Sequence, residues 1–398
     1  MPELSERLNK PISTAELERR WAAVRAAMVA QGVDALLMQN NNDHMGGYVK
    51  YFTDVPATNG YPNTVVFPRD DLMTMVHQGP LQGDKPIPPE GDGVVRGVKR
   101  VLTTPSYASA SYTADYDPAL ACKALEPYAR GTIGLVGTYQ MSFAMVDYVK
   151  RQFPRATFVE ASDLVDRIKV IKSDEEIEFI RATAAMQDAA MAAAIAAIRP
   201  GMKDSDVAAV AMKVGQELGS EQGVYHCGSF PADRQSYFQM RHSQNRVIRE
   251  GDVFHLLVEN NGPGGFFTEL GRTMVLGKAS ERQKEEFAFT LEAQKFTLGM
   301  LKPGTPCGEI WTAYNRFMRE NGRPEESRLY CHGQGYDMVE RPLVRDDEPW
   351  PIAGNMNIVC HPTYVRDGIH SWICDNYVIG GNGPGDSLHR TPQRLFEI

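Results

Sequence analysis

Two glutamates and one histidine interrupt an apolar stretch of the sequence between Gly251 and Gly277. Glu259 and Glu269 lie on either side of the run NGPGG at positions 261–265, and His255 precedes them. Carboxylates and imidazoles are costly to bury unless they are paired, so their presence here predicts a functional site rather than a solvated loop tip. Such groups can exchange protons with a substrate or bind a cationic group on it.

The same stretch predicts the element that positions these groups, a hairpin with strands at 253–260 and 266–276. Both segments are rich in Val, Leu, Phe or Thr, and the intervening glycines tolerate the positive φ of a tight turn. Along the first strand, the period of two places His255, Leu257 and Glu259 on one face. We therefore expect both glutamates near one end of the hairpin.

Length and composition limit the possible classes of protein. The chain has 398 residues, a net charge of −8, 42% hydrophobic and 23% charged residues. This length predicts two domains, and the composition is typical of a soluble globular protein. The lack of a basic run argues against binding to nucleic acid or anionic membranes.

Other features of the sequence concern localisation. It has no apolar stretch of the roughly 18–20 residues needed to span a membrane. Its first residues lack the apolar core of a signal peptide. The six cysteines are scattered without a CxxC motif, which predicts reduced thiols and a cytoplasmic protein.

The first part of the chain, residues 1–167, alternates between helical and strand patterns. A capping box at 13–16 predicts a helix that ends at Gly32. Further helices are expected at 117–128 and 142–153, and strands at 35–38, 132–136 and 157–160. This alternation predicts an α/β domain with a mostly parallel sheet.

The second part, residues 168–398, contains an internal repeat. A capping box at 173–176 opens a long Ala-rich helix that Pro200-Gly201 ends, and a second helix is expected from 204 or 205 to 219. The same pattern of helix, Pro-Gly and helix returns around Pro303, 103 residues later. Both copies continue into strands, which predicts two duplicated units closing one antiparallel sheet around a central cleft.

Several motifs of this second part resemble those of the pita-bread family, which includes methionine aminopeptidase, prolidase, aminopeptidase P and creatinase. They are IKSDEEIEFIR at 171–181, His242 nine residues before Gly251-Asp252, GFFTELGRT at 265–273, and HGQGYD at 332–337. The resemblance implies an α+β protein: a C-terminal pita-bread catalytic domain preceded by an α/β domain of the prolidase and creatinase type.

The positions that carry metal ligands in the family's metallopeptidases are changed here. The resemblance places their second Asp on Glu269 and their first on Val258 or Glu259, and it retains the His as His332. The two later Glu positions hold His361 and Cys374. A two-metal site needs bridging carboxylates to hold its ions, so we expect the family's dinuclear centre, and with it an Xaa-Pro dipeptidase activity, to be absent.

Creatinase has this fold but uses no metal. The resemblance of the chain to creatinase implies acid–base chemistry in the cleft. We expect a hydrolase that cleaves a C–N bond of a small polar molecule, with His242 as general acid or base and Glu269 as its partner or as a ligand for a cationic group. His332 and His361 are expected as polarising donors. Cys374 is either a nucleophile activated by an imidazolium or a small core residue.

The resemblance also implies a set of substrate contacts and a homodimer. Arg366 would suit a substrate carboxylate, and Asn59 and Tyr61 would reach the partner's site when the N-terminal domain closes it. The expected substrate-binding residues are Glu259, His255, Asp375, Tyr336, Arg366, His370, Asn59 and Tyr61. The substrate class stays open among guanidino acids, cyclic amidines, amides and sulfonium compounds, and no cofactor is expected.

Two alternatives differ in the chemistry of the cleft. In the first, His332, His361, Cys374 and Glu269 bind a single zinc or iron ion, as a four-ligand site could. In the second, the chain is a non-catalytic pita-bread binding module. The persistence of histidines and carboxylates in the cleft favours an enzyme.

Overall fold

The computed structural model describes residues 4–45 and 47–398 of the chain. The chain divides into two compact units, Met1–Lys169 and Val170–Ile398. The sequence placed this division after residue 167.

The N-terminal unit is built on a seven-stranded sheet with the order β4-β5-β3-β2-β1-β6-β7. Strands β1, β3, β5, β6 and β7 run parallel to one another, while β2 and β4 run antiparallel to their neighbours. The predicted mostly parallel sheet is therefore a mixed sheet. Its elements are α1 (Thr14–Gln31), β1 (Ala35–Asn40), α2 (Tyr48–Thr53), β2 (Asn63–Pro68), β3 (Met73–Gln78), β4 (Gly83–Pro86), β5 (Val98–Thr104), α3 (Tyr116–Leu125), β6 (Thr132–Val136), α4 (Phe143–Gln152), β7 (Thr157–Glu160) and α5 (Ser162–Lys169).

Local signals explain how the first helix of this unit begins and ends. The Ser13 hydroxyl accepts a hydrogen bond from the Glu16 amide at 3.1 Å, which satisfies one of the free N–H groups of the first turn. At the other end Gly32 adopts the left-handed conformation with φ of 66°, which glycine tolerates without strain. The predicted strand at 132–136 forms with the same bounds.

The C-terminal unit has four long helices and two principal sheets. One sheet has the order β18-β10-β9-β8 and the other the order β12-β11-β13-β16-β17. Its elements are α6 (Asp174–Ala197), α7 (Asp204–Glu217), β8 (Gly223–Pro231), β9 (Asp252–Asn261), β10 (Phe267–Val275), α8 (Glu281–Met300), α9 (Cys307–Glu320), β11 (Cys331–Gly333), β12 (Glu340–Leu343), β13 (Asn357–Cys360), β14 (Thr363–Arg366), β15 (Ile369–Trp372), β16 (Asp375–Gly380), β17 (Gly383–Pro384) and β18 (Phe396–Glu397).

The repeat predicted from the sequence is visible as two helix pairs, each followed by strands. The pair α6–α7 precedes β8 to β10, and the pair α8–α9 precedes β11 to β17. The strands form two sheets rather than the one continuous sheet that was predicted. An antiparallel bridge between Gly271 and Cys374 joins the two sheets, and the Phe267 N–H donates to the Gly335 oxygen at 2.7 Å. A Cβ on Gly271 would lie 1.9 Å from the Trp372 ring, so the close approach of the sheets at this bridge requires glycine.

Two further findings bear on the sequence analysis. All six cysteines have free thiols. Among the described residues, no helix is long and apolar enough to cross a membrane.

Candidate active site

The hairpin formed by β9 and β10 places two carboxyl groups opposite each other. Glu259 and Glu269 are direct partners in the antiparallel register. Both side chains are buried, with 7% and 6% of their surface exposed. The turn between the strands uses Gly264 and Gly265 at φ of 78° and 86°, as expected from the sequence.

The register also decides which residue replaces the first metal-binding Asp of the family. Val258 packs into a hydrophobic core with Leu256 and Leu270, on the face of the hairpin away from the acids. Glu259 lies on the same face as Glu269. The position therefore belongs to Glu259.

One side-chain amide donates to both carboxyl groups. Gln334 Nε2 lies 3.1 Å from Glu259 Oε1 and 3.4 Å from Glu269 Oε2. The Gln334 amide oxygen accepts a hydrogen bond from Asn376 Nδ2 at 2.8 Å. Asn376 is itself oriented by the main-chain N–H of Glu269, which donates to its Oδ1 at 2.7 Å. Since a main-chain N–H can only donate, this chain of bonds fixes both amides and points the Gln334 donor at the acids.

Burial and mutual repulsion keep this carboxyl pair partly protonated. The pKa of Glu259 is raised well above its ordinary value of 4.5 by burial and then by the charge of Glu269, against the lowering effect of the Gln334 hydrogen bond. Burial raises the pKa of Glu269 to about 7. Two adjacent carboxylates in such a setting hold at least one proton between them at neutral pH.

Two imidazoles complete this cluster. His332 Nε2 lies 4.0 Å from Glu269 Oε2, and the rings of His332 and His361 are 5.3 Å apart. His332 is buried, whereas His361 is half-buried. Burial lowers the pKa of His332 to about 4 and that of His361 well below 6.5, so both rings are neutral at neutral pH.

The tautomer of His332 corrects its predicted role. Its Nδ1 lies 2.9 Å from the main-chain oxygen of Gly333. A carbonyl oxygen only accepts, so Nδ1 carries the proton and Nε2 presents a lone pair towards Glu269. The expected polarising donor is therefore an acceptor on the side that faces the acids.

Cys374 is a buried thiol rather than an activated nucleophile. Its Sγ donates to the main-chain oxygen of Glu269 at 3.5 Å. Burial, followed by the charges of Glu269 and Asp375, raises the pKa of the thiol well above its ordinary value. The thiolate is the nucleophilic form of cysteine, and Cys374 stays a thiol. Cys374 is therefore the small core residue that was expected as the alternative to a nucleophile.

His255, expected near the substrate, belongs to a second polar cluster on the same strand pair. Trp372 Nε1 donates to His255 Nδ1 at 2.8 Å, and Thr273 Oγ1 lies 2.9 Å from the same nitrogen. Indole nitrogen only donates, so the ring proton is on Nε2, which donates to Ser236 Oγ at 2.5 Å. His255 therefore cannot act as a base towards Ser236. His370 packs against His255, with ring centroids 4.8 Å apart.

The predicted pairing of His242 with Glu269 is not formed. His242 is exposed in a short 3-10 helix at Arg241–Ser243. Within residues 4–45 and 47–398 it makes no hydrogen bond or ion pair with the buried acids. The partner of Glu269 is instead His332, which the sheet of β11 carries into the cluster.

Three further expected substrate contacts are engaged elsewhere in the C-terminal unit. Asp375 forms a fully buried ion pair with Arg272 at 2.8 Å. Arg366 donates to Glu286 at 3.1 Å rather than being free for a substrate carboxylate. Tyr336 is buried and stacks on Phe266. In the N-terminal unit, Asn59 and Tyr61 are both exposed.

Gln334 and Asn376 were missed by the sequence analysis. Each lies two residues after a residue that was selected, His332 and Cys374 respectively. The strand period does not apply to either pair, because Gln334 follows the end of β11 and Cys374 precedes β16. The available signal for Gln334 was its place in the motif HGQGYD, next to the selected His332.

The donor set does not fit the family's pair of metal ions. Bridging carboxylates are required to hold two ions together, whereas the two later ligand positions offer an imidazole and a protonated thiol. One ion is compatible with the residues present. Glu269, His332 and His361 each offer a ligand atom, and these atoms lie within 4.8 Å of one another.

Comparisons with known proteins agree with this architecture. The sequence model of metallopeptidase family M24 matches residues 178–381. The Xaa-Pro dipeptidase of Pyrococcus furiosus is 27% identical over 67% of this chain and 75% of its own length. The creatinase of Bacillus sp. is 24% identical over 86% of this chain and 80% of its own.

A solved structure extends the likeness to the whole fold. The X-Pro aminopeptidase of Thermotoga maritima superimposes with a TM-score of 0.78, covering 95% of this chain and 99% of that chain at 18% identity. The predicted fold, a C-terminal pita-bread domain preceded by an α/β domain, is confirmed.

Proposed function

The chain belongs to metallopeptidase family M24 and is a hydrolase of that family, and from this premise we propose that it cleaves a C–N bond of a small polar molecule without a dinuclear metal centre. The observation that carries this proposal is the pair Glu259 and Glu269, held opposite each other by Gln334. The family's remaining carboxylate positions hold His361 and Cys374. The substrate resembles that of creatinase in kind, a compact molecule with a carbon bonded to nitrogen.

The carboxyl pair supplies both proton transfers that hydrolysis needs. One carboxylate takes a proton from water as its oxygen bonds to the electrophilic carbon. The protonated partner gives its proton to the departing nitrogen as the C–N bond breaks, so the products are an acid or carbonyl compound and a free amine. Because the two carboxylates repel each other when both are charged, their proton affinities separate, so that one acts as acid and the other as base.

The neighbouring groups orient the reactants. His332 Nε2 accepts a hydrogen bond from the attacking water or from a substrate N–H. His361 is half-buried and packs against the His332 ring, with ring centroids 5.3 Å apart. If one metal ion is bound, Glu269, His332 and His361 would hold it, and it would supply a Lewis acid.

A panel of substrates tests the proposal. Purified protein is incubated with guanidino acids, cyclic amidines, amides and Xaa-Pro dipeptides, and released amine or urea is measured. We expect turnover of a non-peptide substrate. Turnover confined to Xaa-Pro dipeptides would overturn the assignment in favour of a dipeptidase, the second candidate, which the names of the archaeal relatives favour.

The site is also proposed to be shared between two copies of the chain. The exposed Asn59 and Tyr61 would cover the partner's acids in a homodimer. Mixing Tyr61→Ala with Glu269→Gln protein then creates mixed dimers with one complete site. Random exchange restores about a quarter of the wild-type activity in a two-fold dimer. Activity no higher than the sum of the two variants, with exchange verified by tagged subunits, would show that each chain works alone.

A further inference from the structure

We infer that Glu269, His332 and His361 form a binding site for one divalent transition-metal ion, a mononuclear centre in place of the family's pair. Glu269 is contributed by β10 and His332 by β11, and His361 directly follows β13. The three ligand atoms lie within 4.8 Å of one another. The site thus joins the two sheets of the C-terminal unit.

His332 Nε2 and Glu269 Oε2 face each other without a hydrogen bond between them. The proton of His332 is on Nδ1, where Gly333 accepts it, so the lone pair of Nε2 points at Glu269 Oε2 across 4.0 Å. This separation is too long for a hydrogen bond. A cation between the two atoms satisfies both. Ligand atoms around a tetrahedral zinc lie about 3.3 Å apart, so small side-chain rotations complete the geometry.

The acids also lack a cationic partner. In the part of the chain that the structure describes, neither Glu259 nor Glu269 forms an ion pair with a lysine or arginine. Gln334 is a neutral donor and offers its amide to both. Two other buried acids of this unit have such a partner, Asp375 with Arg272 and Glu340 with Lys172. A bound cation would give Glu269 what those acids obtain from side chains.

The donor set indicates the kind of ion. Two neutral imidazoles and one carboxylate suit zinc, cobalt or ferrous iron, whereas magnesium and calcium prefer oxygen ligands. Gly333 holds His332 through its second nitrogen, as metal-bound histidines are commonly held. Three protein ligands leave one position of a tetrahedral ion for water or substrate, and His361 is the half-buried member of the three.

The site accepts one ion and excludes Cys374. The thiol of Cys374 is turned to the main-chain oxygen of Glu269, and it is not among the three clustered groups. The four-ligand site considered from the sequence is therefore reduced to three protein ligands. The inference concerns ion binding alone and does not rest on the C–N substrate, so an inactive protein can still confirm it.

Titration calorimetry on the full chain, stripped with EDTA, measures the stoichiometry directly. With zinc as the probe we expect one equivalent bound per chain, and with cobalt a visible absorption band of a low-coordinate site. Magnesium should compete poorly. Binding of no zinc, or of two equivalents with equal affinity, would overturn the proposal.

Variants assign the ion to these side chains. His332→Ala and His361→Ala should each weaken zinc binding by at least about 100-fold, since even residues behind a ligand contribute 10- to 100-fold. Cys374→Ser and His242→Ala serve as matched controls and should retain one equivalent. Unchanged affinity in the two histidine variants would show adventitious binding.

Folding is separated from binding by a second measurement. If His332→Ala or His361→Ala does not fold, His361→Gln keeps a side chain of similar length without the imidazole and is tested in its place. For the wild type, saturating zinc should raise the unfolding temperature, because an ion that binds only the folded state stabilises it. A zinc-dependent rise of the same size in His361→Gln protein would contradict the site.

Discussion

Two polar clusters lie on the same face of the β9–β10 hairpin and differ in how far hydrogen bonds complete them. At one end, His255 uses both ring nitrogens, accepting from Trp372 and donating to Ser236. At the other, Glu259 and Glu269 share the single amide of Gln334, and a His332 lone pair faces a carboxylate oxygen. Leu257 and Trp372 pack between the two ends.

The comparison shows that polarity within a core does not by itself mark a site. Both clusters are buried and contain histidine. Both ring nitrogens of His255 are hydrogen-bonded by its own neighbours, which makes His255 a structural residue. The glutamate cluster retains hydrogen-bonding capacity that its neighbours do not fill, and a proton, an ion or a substrate can use it.

The largest expected effect is the loss of turnover at the glutamate end. Glu269→Gln keeps the shape but cannot take a proton, so kcat on the identified substrate should fall by about 10²–10⁴-fold. Thr273→Val, four residues along the same strand at the histidine end, is the matched control and should stay near wild type in kcat. Equal losses in both variants, at equal folded fractions, would remove the distinction between the two ends.

At the histidine end we expect a loss of stability instead. His255→Ala leaves the Trp372 indole and the Ser236 hydroxyl without their partner and creates a cavity, which costs about 3 kcal/mol of unfolding free energy. His255→Asn retains an oxygen near the Nδ1 position and should lose less. Denaturant melts measure both. A loss of kcat with unchanged stability would place His255 in the catalytic machinery.

Gln334 tests whether the shared amide organises the acids. Gln334→Met removes a hydrogen bond to a charged group, worth about 1.5–3 kcal/mol, and should lower kcat by about 10- to 100-fold. The same bond lowers the pKa of Glu259, so losing it should move the pH–rate profile to higher pH. Gln244→Met, whose amide donates to main-chain oxygens at Tyr225 and Gln239, is the control. An unmoved profile would reduce Gln334 to a packing role.

The fold was predictable because its signals are local. Ser13 and Ser173 cap helices within one turn of the chain, and the Pro200 and Pro303 breaks repeat the same pattern. The hairpin was predictable from the strand-forming residues on both sides of the turn and from the glycines within it. The separation into two sheets was not predictable, since it depends on the approach of Gly271 to Trp372, more than a hundred residues away in the chain.

The site was only partly predictable for a related reason. Four side chains were selected correctly as neighbours: Glu259, Glu269, His332 and His361. The choice between Val258 and Glu259 depended on the length of the turn, because a shift of one residue in the strand pairing moves every side chain to the opposite face. His242 was preferred because the resemblance places it on the family's cleft histidine, whereas in the structure His332 is the histidine beside Glu269. Gln334 carries no charge and drew no attention in the sequence.

The dependence of stability on pH provides the last comparison, because the two ends act in opposite directions. In EDTA-treated protein, the pKa of Glu269 is raised from 4.5 to about 7, so its contribution is complete below pH 4.5 and is lost as pH rises towards 7. The pKa of His255 is lowered well below 6.5 by burial and by His370, so its contribution is complete above pH 6.5 and is lost as pH falls. Each group changes stability by at most about 1.4 kcal/mol per pH unit.

Between pH 4.5 and 6.5, Glu269→Gln should therefore make unfolding free energy rise more steeply with pH, and His255→Asn should make it fall more steeply. Denaturant melts measure the unfolding free energy of both variants across this pH range. If its pH dependence changes in the same direction in both variants, the two ends of the hairpin do not differ in the way proposed.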